Sequence, residues 1–518
     1  MVDLSWLDVA TPLFVGVGLS FLLECQLEPR AISPWRRHWA SLCIHIGIWF
    51  LLFVFELVLF QRPWFAVFNV LALLLLVVQV NNAKYHSLRE PFIFQDFEYF
   101  IDVLKHPRLY LPFLGVARTL IIAAGFIGAL YGGISFEPSL FEWMPNKDFL
   151  ILLISLMVFG FGLFWLGANQ KLPVTFDAEI DLKQLGLLSS LWRYAEEERK
   201  HCCIPSRDEF VESAQASDGA LPNLVVVQSE SFFDARRLFS GIRTEVLQEF
   251  DAIKTSAVCH GQVEVPAWGA NTVRTEFAFL SGLSAESIGV HRFNPYRKLA
   301  KQGIPTLASF LKSLGYRTVC VHPYPASFYA RDKVFPLLGF DEFIDIHSFN
   351  PANKTGPYIG DVALAEKVCG ILEASSTQAI FVFVITMENH GPLHLEKVSE
   401  GDVDRLYSTT PPEDCEDLTI YLRHLGNADR MAGMLRDRLD VLPGSNWLCW
   451  YGDHVPIMPK VYTATSSPSG QTDYLLWAKD KTPGDSTHLD LKVENLSGLL
   501  LQEMGLIRVN KNGSSDSC

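Results

Sequence analysis

Five apolar runs fill the first third of the chain, at residues 11–25, 40–60, 64–80, 112–134 and 149–168. A helix needs about 20 mostly apolar residues to cross the hydrocarbon core of a bilayer. The second and fourth runs meet that length with room to spare. The first is short and carries Glu24. No basic stretch precedes it and no small-residue cleavage site is evident, so it reads as a membrane helix rather than a signal peptide. Lipid leaves every backbone N–H and C=O to be satisfied within its own segment, which forces such runs into helices. The mean hydropathy of +0.18 is therefore an average over two unlike parts.

Between the third and fourth runs, Phe97, Phe100, Ile101 and Leu104 recur at helical spacing, with Asp96, Glu98, Asp102 and Lys105 elsewhere on the wheel. That spacing predicts an interfacial amphipathic helix near residues 92–106. Residues 171–201 are polar, with a charge run at 196–200, and predict a solvated juxtamembrane helix. Residues 202–221 are rich in Ser, Pro and Gly and read as a linker. The expected organisation is a five-helix membrane domain over 1–170, a helix and linker over 171–221, a globular domain over 222–508 and a polar tail over 509–518.

From residue 222 onwards, β-branched runs at 224–227, 318–321, 379–385, 447–451 and 474–477 alternate with helical patterns at 276–283, 306–314, 362–373 and 421–439. This alternation predicts an α/β sandwich around a mostly parallel sheet. Ligands in such sheets sit at the carboxyl ends of the strands. Glu230, His322, His390, Asp453 and His454 all follow directly or closely after a predicted strand.

Those residue types carry a definite chemistry. Glu230, Asp453 and His454 are ligands suited to a divalent ion, Mn²⁺ first, with Mg²⁺ and Zn²⁺ as alternatives. Thr272 opens a helix after the turn-forming Gly269-Ala270-Asn271, where backbone N–H groups favour negative charge. Its hydroxyl can complete the metal shell and serve as nucleophile, since coordination lowers its pKa. The bland alternative is a helix N-cap. Arg331 can grip a phosphate, and His322 and His390 can hand hydrogen bonds or protons to a leaving oxygen. A net charge of −14 offers no footprint for nucleic acid. Ten cysteines show no metal-ligand spacing.

With these residues in place the chain resembles the lipoteichoic acid synthase family, a branch of the alkaline phosphatase/sulfatase superfamily. Ser229-Glu230-Ser231 resembles that family's metal-binding strand-end Glu motif, and Asp453-His454 its metal-binding pair. Thr272, in Asn271-Thr272-Val273-Arg274-Thr275-Glu276-Phe277, falls at the nucleophile position. His322, Tyr329 and Arg331 match the spacing of the substrate-phosphate pocket, with Tyr329 where the family has Trp. Asn389-His390 resembles the motif whose His lies over the phosphate. The resemblance implies five membrane helices followed by an extracytoplasmic sulfatase-like domain. It also implies transfer of phosphoglycerol from a membrane phospholipid through a phospho-threonine to an envelope glycan or polymer. A phosphoethanolamine transferase and a sulfatase or phosphodiesterase acting by hydrolysis are the enzymatic alternatives. A membrane-anchored binding protein with a relic catalytic fold is the non-enzymatic one.

Two features pull the other way. Cys203-Ile204-Pro205-Ser206-Arg207 fits the C-x-P-x-R pattern that marks a formylglycine cysteine, but it precedes the first metal-binding strand, and Thr272 takes the nucleophile's place. Arg30, Arg36 and Arg37 lie between the first two runs, and Lys84, Arg89, Lys105 and Arg108 between the third and fourth. With five spans, the positive-inside rule puts these loops and the C-terminal domain in the cytoplasm, whereas the resemblance puts that domain outside. The expectation follows the resemblance: an integral protein of the cell (inner) membrane with its catalytic domain extracytoplasmic.

Overall fold

The structure, a computed structural model, describes residues 7–98, 116–142, 144–200, 210, 221–375, 378–480 and 486–507. The chain divides between residues 201 and 202 into two compact units. The sulfatase-like pentapeptide at 203–207, most of the expected linker and the polar tail lie outside the described residues.

The first unit contains α1 (Leu7–Glu24), α2 (Trp39–Phe60), α3 (Pro63–Leu88), α4 (Val116–Phe136) and α5 (Asn146–Ala168). Among the described residues, α1, α2, α3 and α5 are long and apolar enough to cross a membrane. Helices α2 and α5 approach closely. A Cβ at Gly47 would lie 2.6 Å from the Phe164 nitrogen, and one at Gly167 would lie 2.5 Å from the Ala40 carbonyl oxygen. Small residues at such a crossing let helices in lipid pack by direct contact.

Glu24, the polar residue of the first run, is buried and bound. Its carboxylate accepts from Arg37 at 2.6 Å and from the Leu187 N–H at 2.9 Å. The second of these bonds caps a helix, and it shows that residues 171–201 are not a solvated helix. They form α6 (Ala178–Leu185) and α7 (Leu187–Arg199), and both pack into the membrane unit. Leu187, Leu191, Tyr194, Ala195 and Glu198 share the buried face of α7. Its charge run hides that face, because Glu196 and Glu197 pair with Arg193 on the same helix. Of the expected amphipathic helix only the start is described, a 3₁₀ turn at Phe94–Glu98; residues 99–106 fall outside. Asp96 is not on a solvated face as its place on the wheel suggested. It is buried against Lys84 Nζ at 2.7 Å, which also reaches Glu90 at 2.6 Å.

The second unit is built on one mixed sheet. Its core strands are β1 (Asn223–Ser229), β2 (Cys259–Glu264), β3 (Arg317–Val321), β4 (Glu342–Ile344), β5 (Ile380–Ile385), β6 (Asn446–Gly452) and β7 (Thr472–Ala478). They lie in the order β2-β7-β6-β1-β5-β3-β4, with β6 to β4 parallel and β7 antiparallel to both neighbours. Short strands at Thr487–His488 and Leu491–Lys492 extend the β2 edge.

Alternation along the strands builds two cores. Val225, Val227, Val382, Val384 and Trp450 face α8 (Gln248–Thr255), the helix α11 (Asp361–Ala374) and the long α12 (Glu416–Val441). Leu224, Val226, Phe381, Phe383 and Tyr451 face α9 (Thr272–Ser281), α10 (Leu307–Ser313) and α13 (Val493–Glu503). All five strands expected from the sequence are present. Strand β2 was not expected, since His260, Gln262 and Glu264 interrupt any apolar run there, and β4 is only three residues long.

Candidate metal and phosphoryl-transfer site

Register puts the first ligands together. β1 and β6 run parallel with Ser229 opposite Gly452, so Glu230 and Asp453 leave adjacent strands side by side. Gly452 is required there, because a Cβ would collide with the Phe232 carbonyl oxygen. One ligand atom each from Glu230, Asp453 and His454 lies within 4.8 Å of the others, and all three residues are buried.

The surrounding bonds fix how these groups present themselves. The Ser231 N–H donates to Asp453 Oδ1 at 2.8 Å, and Ser231 Oγ donates to Glu230 Oε1 at 2.9 Å. His454 Nδ1 lies 3.1 Å from the Val455 carbonyl oxygen, so that nitrogen carries the proton. The lone pair of Nε2 then faces Glu230 Oε1 at 3.5 Å and Asp453 Oδ2 at 3.4 Å. Both Nε2 and Asp453 Oδ2 are buried without a hydrogen-bond partner. Burial and the neighbouring Asp453 charge push Glu230 up to about 8. Two carboxylates and an imidazole lone pair converging out of water are what a divalent cation requires, and these residues fit one.

Thr272 is the first residue of α9 and is half-buried. The helix cap is Asn271, in the left-handed region at φ 68°, so the capping explanation for Thr272 does not hold. One turn on, Thr275 Oγ1 donates to the Asp453 carbonyl at 2.8 Å and ties the start of α9 to the loop that carries Asp453 and His454. Ser231, Asn271, Tyr329 and Ala330 are half of the eight non-glycine residues with positive φ among those described. Such conformations cost roughly 1–3 kcal/mol each and gather where a site over-determines them.

Arg331 and His322 form a second group. Arg331 is 1% exposed and has a partner at each nitrogen. Nη2 and Nε donate to Glu276 at 2.8 and 3.3 Å, and Nη1 lies 3.3 Å from His322 Nε2. The Tyr329 ring lies 5.3 Å from the guanidinium carbon. His322 Nδ1 donates to the Ile385 carbonyl at 3.0 Å, so Nε2 is an acceptor for Arg331 rather than a donor to a leaving group. Burial and the Arg331 charge hold His322 well below the ordinary histidine range.

Glu276 is the residue that sequence reasoning missed. It stood in the quoted motif without a role, although Thr272, Thr275 and Glu276 share one helix face at i, i+3 and i+4. Its carboxylate also accepts from the Tyr296 hydroxyl.

His390 follows β5 in a tight turn closed by its own N–H to the Met387 carbonyl at 3.1 Å. Nδ1 donates to the Gly391 carbonyl at 2.7 Å, with the Tyr358 hydroxyl 3.4 Å away, and this leaves Nε2 free of that turn. Burial lowers its pKa, while the charge of Asp453 acts in the opposite direction.

Comparison with known proteins agrees with this architecture. The sequence profile of the Sulfatase family matches residues 222–505. The capsular polysaccharide biosynthesis protein RkpI of Rhizobium meliloti is 27% identical over 440 residues, covering 80% of this chain and 77% of its own. Among solved structures, the integral membrane lipooligosaccharide phosphoethanolamine transferase A of Neisseria meningitidis aligns over 96% of this chain and 95% of its own, at 15% identity and TM-score 0.58. The fold of both units is therefore shared with it. The lipoteichoic acid synthase LtaP of Listeria monocytogenes aligns over 58% of this chain and 78% of its own, at 19% identity and TM-score 0.45.

Proposed function

Since the chain belongs to the sulfatase family, we propose that it is a membrane-bound, metal-dependent transferase. In this reading it moves a phosphoglycerol-type head group from a phospholipid to an envelope glycan through a phospho-threonine at Thr272. The observation that carries the reading is the buried Glu230–Asp453–His454 cluster, tied by the Thr275–Asp453 bond to the helix that Thr272 opens. The relative's role in capsular polysaccharide biosynthesis supports a glycan as acceptor.

A divalent ion, Mn²⁺ by preference, would be held by Glu230, Asp453, His454 and the Thr272 oxygen, where it supplies Lewis-acid stabilisation of negative charge. Thr272, its hydroxyl proton already lost to solvent, attacks phosphorus as the alkoxide and departs as the alkoxide when the acceptor takes the group; in the first step the bond from phosphorus to the diacylglycerol oxygen breaks. That oxygen takes a proton from His390. The acceptor hydroxyl then attacks the phospho-threonine and gives its proton to His390, which restores the starting state. Arg331, held by Glu276, presents positive charge toward the phosphate from the β3 side. The catalytic unit faces away from the cytoplasm, as assembly of an envelope polymer requires.

Phosphoethanolamine is the second head group. Tyr329 against Arg331, where related pockets have the larger Trp, is the feature that favours a changed head-group pocket. Mass spectrometry of the intact protein after incubation with phosphatidylglycerol or phosphatidylethanolamine tests both readings. An adduct on Thr272 from one lipid identifies the donor. No adduct with either lipid, in metal-loaded protein, rejects the mechanism.

A further inference from the structure

Among the described residues, Asn389 is the one whose side chain is buried with both polar atoms, Oδ1 and Nδ2, unbonded. A carboxamide offers two donor hydrogens and an acceptor oxygen, and native proteins leave such groups unpaired in the interior only where something else meets them.

The fold indicates what that partner is. Asn389 and Glu388 are the central residues of the turn closed between Met387 and His390. Glu388 turns back into the helical layer, where its carboxylate accepts from the Asp361 N–H at 2.6 Å, from His424 Nδ1 at 2.8 Å and from Asn427 at 2.5 Å. On one side of the turn, Thr386 Oγ1 accepts the Glu230 N–H at 2.8 Å. On the other, His390 lies within the field of Asp453. Asn389 therefore stands at the carboxyl end of β5, between a residue bonded to one metal-type ligand and a residue that feels another.

Arg331 already commits one N–H on each nitrogen to Glu276 or His322, which leaves it two further N–H groups, and His322 Nε2 is an acceptor. A phosphoryl group arriving beside Glu230 and Asp453 brings anionic oxygens that need donors. We propose that Asn389 is a substrate-binding residue whose Nδ2–H donates to a non-bridging oxygen of the phosphoryl group being transferred. The inference rests on the phosphoryl-transfer reading above and adds a residue to it; it does not depend on which head group is moved.

The test uses the full-length protein in detergent micelles, loaded with Mn²⁺, with inorganic phosphate as probe and calorimetry as readout. Asn389→Leu keeps the branching pattern in a somewhat larger side chain and removes both polar atoms. It is expected to retain bound Mn²⁺ and to melt, without phosphate, at or above the wild-type temperature, because an unpaired buried amide has been removed. Its phosphate affinity is expected to fall about tenfold or more, the effect of losing a hydrogen bond to a charged group. Asn389→Asp places an anion against the phosphoryl oxygens and is expected to bind phosphate more weakly still. Asn389→Ser, which keeps one donor in a smaller side chain, is expected to fall between wild type and leucine and covers the case in which leucine does not fit.

A lowered melting temperature with unchanged phosphate affinity would show Asn389 to be structural and overturn the inference. Loss of Mn²⁺ on substitution would overturn it too. Wild type that binds no phosphate sinks the phosphoryl reading itself. Wild type that binds, with the leucine variant equal to it, sinks only the role of Asn389.

Discussion

Glu276 and Arg331 are joined out of water by a bond of 2.8 Å between Oε2 and Nη2, although one sits on the helix that Thr272 opens and the other follows β3. The pair links the helix that Thr272 opens to the residue expected to hold the substrate phosphate. Removing one partner of such a pair leaves an uncompensated buried charge, at a cost of about 3–5 kcal/mol. Glu276→Ala is therefore expected to lower the melting temperature sharply. Glu276→Gln keeps the shape and one acceptor oxygen, so it is expected to fold while raising KM for phospholipid more than it lowers kcat. Thermal unfolding followed by circular dichroism, with steady-state kinetics on the Gln variant, checks both. A Gln variant with wild-type KM would separate Arg331 from substrate binding.

Thr272→Ala is expected to abolish turnover and leave the fold intact. Thr275 cannot substitute for it, because its hydroxyl is engaged by the Asp453 carbonyl. The variant should keep the wild-type melting temperature and form no phospho-adduct. As much as a tenth of wild-type activity remaining would move the nucleophile elsewhere.

Chelation should remove activity, and Mn²⁺ or Mg²⁺ should restore it. Asp453→Asn should mimic chelation by taking away anionic charge at the oxygen that has no protein partner. The stripped protein should also show a characteristic pH dependence. Glu230 binds its proton more tightly when folded, up to about 8 against an ordinary 4.5. The folded state thus holds the extra proton, and stability should fall as pH rises from about 4.5 to about 8. Added Mn²⁺ should remove that slope. Melting temperatures with and without EDTA across this range decide the point, and a flat profile in EDTA would argue against the buried acid pair.

A reporter active only outside the cytoplasm, fused after Leu221, is expected to be active. The basic loops that argue for the opposite orientation are weaker than their count suggests. Arg37 is bound to Glu24, and Lys84 to Glu90 and Asp96. An expressed but inactive fusion would restore the charge rule.

How much of this was legible in the sequence depended on the kind of signal. The strands of the sheet centre read clearly because they are buried on both faces and carry runs such as Leu224-Val225-Val226-Val227. The rim residues followed, because a ligand directly after a strand has only one end of the sheet to occupy. Glu276 was not legible as a positioning group, because its partner Arg331 lies 55 residues away and only the fold brings them together. The exposed reading of residues 187–199 failed because the helix carries its charges beside a buried stripe, and local pairs with Arg193 satisfy them. Asn389 had no signal in the sequence beyond its neighbour His390.

The last prediction concerns His390, whose Nδ1 is committed to the Gly391 carbonyl at 2.7 Å. Only Nε2 is then left to exchange protons with substrate, and the residue is not among the three that converge as metal ligands. General acid–base assistance is worth about 10²–10⁴-fold, so His390→Ala should slow turnover of phospholipid by that factor while metal content stays normal. A p-nitrophenyl phosphodiester releases a phenolate that needs little protonation, so the same variant should show a much smaller defect with it. The pH profile follows from the direction of the shift. Burial lowers the His390 pKa below its ordinary 6.5, against the opposing charge of Asp453, so the protonated form is the minor one that the leaving-group step draws on. Release of diacylglycerol needs the protonated form, whose population shrinks as pH rises. Single-turnover formation of the Thr272 adduct from phospholipid should therefore slow with rising pH, and transfer from the adduct to the acceptor, which needs the neutral form, should not. In His390→Ala the slowing of adduct formation with rising pH should disappear. An equal defect on both substrates, or metal lost on substitution, would remove His390 from the acid role.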